Sequence, residues 1–141
     1  MRLWSVKEAE AVLPEVQEYL NEARAADAML QESHAQLEDL RTIYPDIENP
    51  SCTAHDEYVQ WQVRHKEGED GLERSLLRFH ALGVEVKDIV MGLVDFRCVM
   101  ADEEVVFLCW REGEKRIGWW HPLQGGFATR KKLPDWFEAN A

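Results

Sequence analysis

Between Val16 and Tyr44 the seam residues step by three and four without a miss: Val16, Tyr19, Ala23, Ala26, Leu30, Ser33, Leu37, Leu40 and Tyr44. A stripe of that period runs down one side of a helix, so the chain must contain a long helix that needs a neighbour along its length. Pro45 and Pro50, with Asp46 and Asn49 between them, cannot continue it. A second stripe follows through Tyr58, Trp61, His65, Gly68, Leu72, Ser75 or Leu76, Phe79 and Leu82, closed by Gly83 at a position suited to a left-handed helix end. Folding at the proline loop gives a long antiparallel helical hairpin in which Val16 meets Leu82, Tyr19 meets Phe79, Ala26 meets Leu72, Leu37 meets Trp61 and Leu40 meets Tyr58. The ends of this seam are bulky. Its middle, with Ala23, Ala26, Ser33, Gly68 and Ser75, lets two backbones approach closely. His65 falls in the seam facing Ser33 or His34, where it either fixes the register or tips out to solvent.

Ser5-Val6-Lys7-Glu8 has the capping-box pattern and starts a helix. Pro14 lacks an amide, so the opening turns kink or restart near it, with Pro14 in the first turn of a helix that runs to about Ile43. After Gly83 the period changes to two. Leu93–Met100, Val105–Arg111 and Arg116–His121 read as three strands of an antiparallel β-meander. Glu112-Gly113-Glu114-Lys115 predicts a tight hairpin that pairs Trp110 with Ile117, Leu108 with Trp119 and Val106 with His121. Both faces of the sheet are apolar, so the helices cover one face, and the tail with Phe127, Trp136 and Phe137, or a partner, covers the other. The predicted class is α+β, with a helical hairpin over residues 1–83 and a small meander with its tail over 84–141, packed as one unit.

Charge excludes several functions. The 141 residues carry 27 acidic and 16 basic side chains, a net of −11, which repels nucleic acid and anionic membrane. No apolar run approaches the ~20 residues of a bilayer span, and nothing after Met1 resembles a signal-peptide core. Cys52, Cys98 and Cys109 are odd in number and widely spaced, as expected of reduced thiols in a cytoplasmic protein.

The segment Gly83-Val84-Glu85-Val86-Lys87-Asp88, then Gly92-Leu93-Val94-Asp95-Phe96, Leu108-Cys109-Trp110 with Gly113-Glu114, Trp120-His121, and Gly126-Phe127-Ala128 with Arg130 resembles an uncharacterised bacterial family, the domain of unknown function twenty-two-oh-three. Glu8-Ala9 and Leu13-Pro14 extend the likeness over nearly the whole chain. The resemblance implies a bacterial source and a helical hairpin followed by a small sheet, and brings no activity, cofactor or partner. The chain departs from the family pattern at Arg97 after Phe96, in the acidic turn Ala101–Glu104 and at Pro122 after His121, which leaves the exact β-hairpin register open.

Asp95, His121 and Arg130 form the best candidate constellation: a carboxylate, an imidazole and a guanidinium on one small sheet can bind an anion or move a proton. They can equally be ion-paired or packed as structure. Trp110, with Trp119 and Trp120, forms either an aromatic pocket wall or core. Arg130-Lys131-Lys132 reads as an anion grip or a solvated run. Cys52-Thr53-Ala54-His55 has ligand spacing without a second pair, Cys98, Cys109 and His121 show no recognised zinc spacing, and Cys109 reads as a buried small hydrophobe, so no metal, cofactor or catalytic residue is expected. Two helices with so small a seam bury too little to offset ~1–2 kcal/mol of backbone entropy per residue. The leading expectation is therefore a non-enzymatic, homo-oligomeric assembly module, with a dimer or a protein partner through the hairpin. The alternative is a binding protein or enzyme for an anion or aromatic ligand, with its site on the meander at Asp95, Trp110, His121 and Arg130.

Overall fold

The computed structural model describes residues 1–134, which form α1 (Val6–Ala11), α2 (Leu13–Ile43), α3 (His55–Leu82) and the strands β1 (Glu85–Asp88), β2 (Leu93–Val99), β3 (Val105–Arg111), β4 (Trp119–Pro122) and β5 (Lys131–Lys132). The class is α+β. None of the described helices is long and apolar enough to cross a membrane. The chain makes two compact units, Met1–Leu20 with the chain from Leu76 onward, and Asn21–Ser75. Composition changes at Gly83, whereas compactness changes part-way along α2 and α3.

In the first unit, the Ser5 hydroxyl accepts from the Glu8 amide at 3.1 Å, and the Glu8 carboxylate accepts from the Ser5 amide at 3.0 Å. These reciprocal bonds start α1. Val12 interrupts the helix, and Pro14 becomes the second residue of α2, where its missing amide leaves no carbonyl wanting. At the other end Gly83 adopts φ +85°, its amide donates to the Phe79 and His80 carbonyls, and the Val84 amide donates to Phe79. This double closure ends α3 as only a residue at ease with positive φ allows.

The sheet is antiparallel with order β1-β2-β3-β4-β5, five strands where three were expected. The two additional strands are the edges, and their mostly charged sequences, Glu85-Val86-Lys87-Asp88 with a single apolar residue and Lys131-Lys132 with none, carry no apolar alternation to betray them. One face, with Val94, Phe96, Val106, Leu108 and Trp110, joins Trp4, Val6, Ala9, Val16, Leu20 and Phe79 in a single buried core. Trp4 stacks edge-on against Phe96 at 5.3 Å, and Tyr19 against Phe79 at 5.6 Å. The opposite face is roofed by cations over aromatic rings: Lys87 and Arg97 over Phe107, and Arg130 over Trp119 and Phe127. The long stems of these side chains exclude water while their charged ends remain paired or solvated. Trp136 and Phe137, proposed from sequence as part of this cover, lie outside the described residues.

The β3–β4 register differs from the expected one by a single residue. Phe107 faces His121, Leu108 faces Trp120 and Cys109 faces Trp119. A tight turn does form at Gly113, which adopts φ +100° while the Glu114 amide donates to the Arg111 carbonyl at 3.0 Å, but it does not close the β3–β4 hairpin. Instead Glu114 draws the chain in, its carbonyl accepting from the Trp110 indole at 2.9 Å and its carboxylate from the Arg111 amide at 2.7 Å. Residues 112–118 then leave the ladder, β4 begins at Trp119 rather than Arg116, and Ile117 is buried without a strand partner. Because strand side chains alternate, that slip transfers His121 from the Trp110 face to the Cys109 face.

In the second unit, the chain turns between α2 and α3 through successive tight turns from Tyr44 to His55, and the Asn49 carboxamide accepts from the Ser51 amide. Its buried apolar cluster is small: Leu37, Leu40, Ile47, Ala54 and Tyr58. Farther along, a Cβ on Gly68 would stand 3.0 Å from the Leu30 side chain and 3.2 Å from the Ala26 carbonyl, so the helices touch almost backbone to backbone. The Ser33 hydroxyl lies 3.0 Å from His65 Nδ1, and His65 Nε2 lies 3.0 Å from the Glu69 carboxylate. His65 thus faces Ser33, not His34, and is part-buried.

Candidate functional site

The register of β2, β3 and β4 assembles the site. Asp95 on β2 is directly opposite Cys109 on β3, and His121 on β4 lies diagonally across from Cys109. One donor atom from each lies within 4.8 Å of the other two, and all three residues are buried, at 2%, 1% and 1% exposure. Polar groups this deep need partners. His121 Nε2 is 2.9 Å from Asp95 Oδ2, and His121 Nδ1 is 2.8 Å from the Pro122 carbonyl oxygen. A carbonyl only accepts, so Nδ1 carries a hydrogen and donates, and Nε2 is the atom turned toward Asp95 and Cys109.

Burial pushes the Asp95 carboxyl above the ordinary carboxylate range, and the His121 ring beside it offsets only part of that rise. Burial likewise pushes the Cys109 thiol up to about 12, with the Asp95 charge adding to the rise and Arg130 acting against it. A thiol so held is not a nucleophile near neutral pH. Cys109 is a buried residue, as the sequence suggested, but its neighbours include Asp95, His121 and Arg130 and not aromatic rings alone.

Arg130 reaches the site from the segment after the short 3₁₀ turn Phe127–Thr129. Its guanidinium makes two bonds to the Glu114 carboxylate, at 3.1 and 3.0 Å. The fork geometry and the stacking on Trp119 fix the side chain in place and neutralise it. Trp110 is elsewhere: it faces the opposite side of the sheet, within the core. The four residues singled out from sequence therefore divide, with Asp95, His121 and Arg130 on the Cys109 face and Trp110 beneath it. Cys109, read from the sequence as a buried small hydrophobe without zinc spacing, and Glu114, which the sequence did not single out as a site residue, both belong to this face. The signal for Cys109 is alternation, since it becomes visible once Asp95 is paired across strands with it.

A family model described as "Uncharacterized conserved protein (DUF2203)" matches residues 2–133. The chain belongs to this family. No curated protein and no solved structure matches it. The DUF2203 match spans both compact units, so the helices of residues 21–75 and the Asp95–Cys109–His121 face are parts of one family domain.

Proposed function

We propose that this DUF2203 chain is a non-enzymatic assembly module whose 21–75 unit packs against a second copy of itself. One observation carries the reading: α3 of that unit leaves two large apolar side chains in water one turn apart, beside only a small buried cluster. Val59 and Val63 lie one turn apart on the same side of α3 at 41% and 53% exposure, and Ile43 and Met29 on α2 are also exposed. Scattered exposed apolar residues are ordinary, but an i, i+4 pair on a long helix with a thin core is the form that a helix-to-helix interface takes. A two-fold pairing of identical surfaces gives a closed dimer.

Sedimentation of the full chain tests this. The expected result is a dimer for the wild type and a monomer for Val59→Lys/Val63→Lys, with helical circular dichroism unchanged because neither residue belongs to the buried cluster. A wild type that sediments as a monomer at every concentration overturns the reading. The alternative, a ligand site on the sheet, draws support from the Asp95–Cys109–His121 cluster. The chemistry of that cluster suits a cation better than an anion, since a carboxylate and an imidazole lone pair are both electron donors.

A further inference from the structure

We propose that Asp95, Cys109 and His121 are three ligands of a transition-metal site on the β2–β3–β4 face, and that Zn2+ is the ion the site takes. The proposal is independent of self-assembly and rests on how three strands deliver three different donor atoms to one buried point.

Geometry comes first. The three donor atoms lie within 4.8 Å of one another. Tetrahedral zinc, with bonds of about 2.0–2.3 Å, holds its ligand atoms roughly 3.3–3.8 Å apart. The Nε2 to Oδ2 separation of 2.9 Å would need to open by only a few tenths of an ångström. The supporting contacts match the same purpose. The Nδ1–H bond to the Pro122 carbonyl selects the ring form in which Nε2 faces the cluster, the arrangement usual around zinc-bound histidines. All three side chains rise from strands, in ladders that fix their spacing better than loops do.

The donor set selects the ion. Imidazole with thiolate suits zinc and its spectroscopic substitute Co2+, whereas Ca2+ and Mg2+ require oxygen ligands almost throughout. Charge balance agrees. A divalent ion with one carboxylate, one thiolate and a neutral imidazole is neutral overall, so the buried face gains no net charge. Arg130, beside the thiol, is already neutralised by Glu114 and opposes no incoming cation. Three protein donors leave a fourth position for water or a small anion. Because the cluster is buried, the ion enters during folding or by local opening, and loading must be attempted by both routes.

The full chain, stripped with chelator, is incubated with ZnCl2 in the native state, and separately refolded from urea in its presence. Bound zinc is counted after removal of the excess. We expect one zinc per chain by at least one route and a raised melting temperature. Co2+ in its place should give the intense visible bands of a tetrahedral ion and a thiolate charge-transfer band. Cys109→Ser should bind at least about tenfold more weakly and lose the thiolate band, with Asp95→Asn weakened similarly. Cys52→Ser should bind like the wild type, because the Cys52-x-x-His55 pair is the competing local ligand set. No zinc retained by either route in a chain that is folded overturns the proposal. So does full binding, with the thiolate band, in Cys109→Ser, or loss of both in Cys52→Ser. Should Cys109→Ser fail to fold, the wild-type stoichiometry and the cobalt thiolate band decide the matter.

Discussion

The two compact units solve the problem of burial in opposite ways. In the first, one sheet face and the packed helices form a continuous apolar core, and the polar groups within the sheet, Asp95 and His121, bond to each other and to a backbone carbonyl. In the second, α2 and α3 approach across glycine and alanine, bury the serines Ser33 and Ser75 and leave Val59 and Val63 in water. The first unit derives its stability from volume and satisfied polarity, the second from close approach. A substitution that orphans a polar group should therefore be most damaging in the first unit, and one that adds bulk should be most damaging in the second.

The largest effect is expected at Asp95. Asp95→Ala leaves His121 Nε2 buried without its partner and should cost about 3 kcal/mol in urea denaturation. Adding His121→Ala to that variant should cost less than the sum of the two single losses, because the second change removes the orphan. Additive losses would mean that the pair is not coupled, and a loss below that of the next variant would reverse the comparison. In the second unit, Gly68→Val drives a branched side chain into Leu30 and the Ala26 carbonyl and should cost about 2 kcal/mol, beyond any gain in helix propensity. Ser5→Ala, which removes the capping hydroxyl of α1, should cost about 1 kcal/mol by the same measurement.

The smallest effect is a pH slope. The Glu8 carboxyl is held below the ordinary carboxylate range, first by the bond from the Ser5 backbone and then by the Ser5 side chain. A carboxylate whose folded value is depressed contributes stability above its unfolded value and loses it as pH falls through the folded one. Melting temperatures of wild type and Glu8→Gln should therefore differ slightly at pH 7 and converge as pH falls through the folded value of the Glu8 carboxyl. A gap that widens on acidification would contradict the capping geometry.

Much of this was legible in the residue order. The capping box at Ser5, the break near Pro14, the end of α2 at Ile43 and the glycine close after α3 are local chemistry, written in neighbouring residues. Strand β3 could be read to the residue from its apolar run, and β2 to within one. The edge strands were not legible, because charge that protects an exposed edge also erases the alternation that marks a strand. Nor was the β3–β4 register. Glycine at 113 suggested a turn that closes the hairpin; the turn forms, but the indole and carboxylate bonds around Glu114 hold the following residues outside the ladder.

That one-residue slip separates what the sequence determined from what tertiary structure alone decided. Helix period, caps and breaks depend on residues within a few positions of one another, so the order of amino acids fixes them directly. The meeting of Asp95, Cys109 and His121 depends on three strands whose alignment is set by a turn's side-chain bonds and by which face must be dry. A shift of one residue in that alignment would have put the histidine on the opposite face of the sheet, and no local pattern distinguishes the two outcomes.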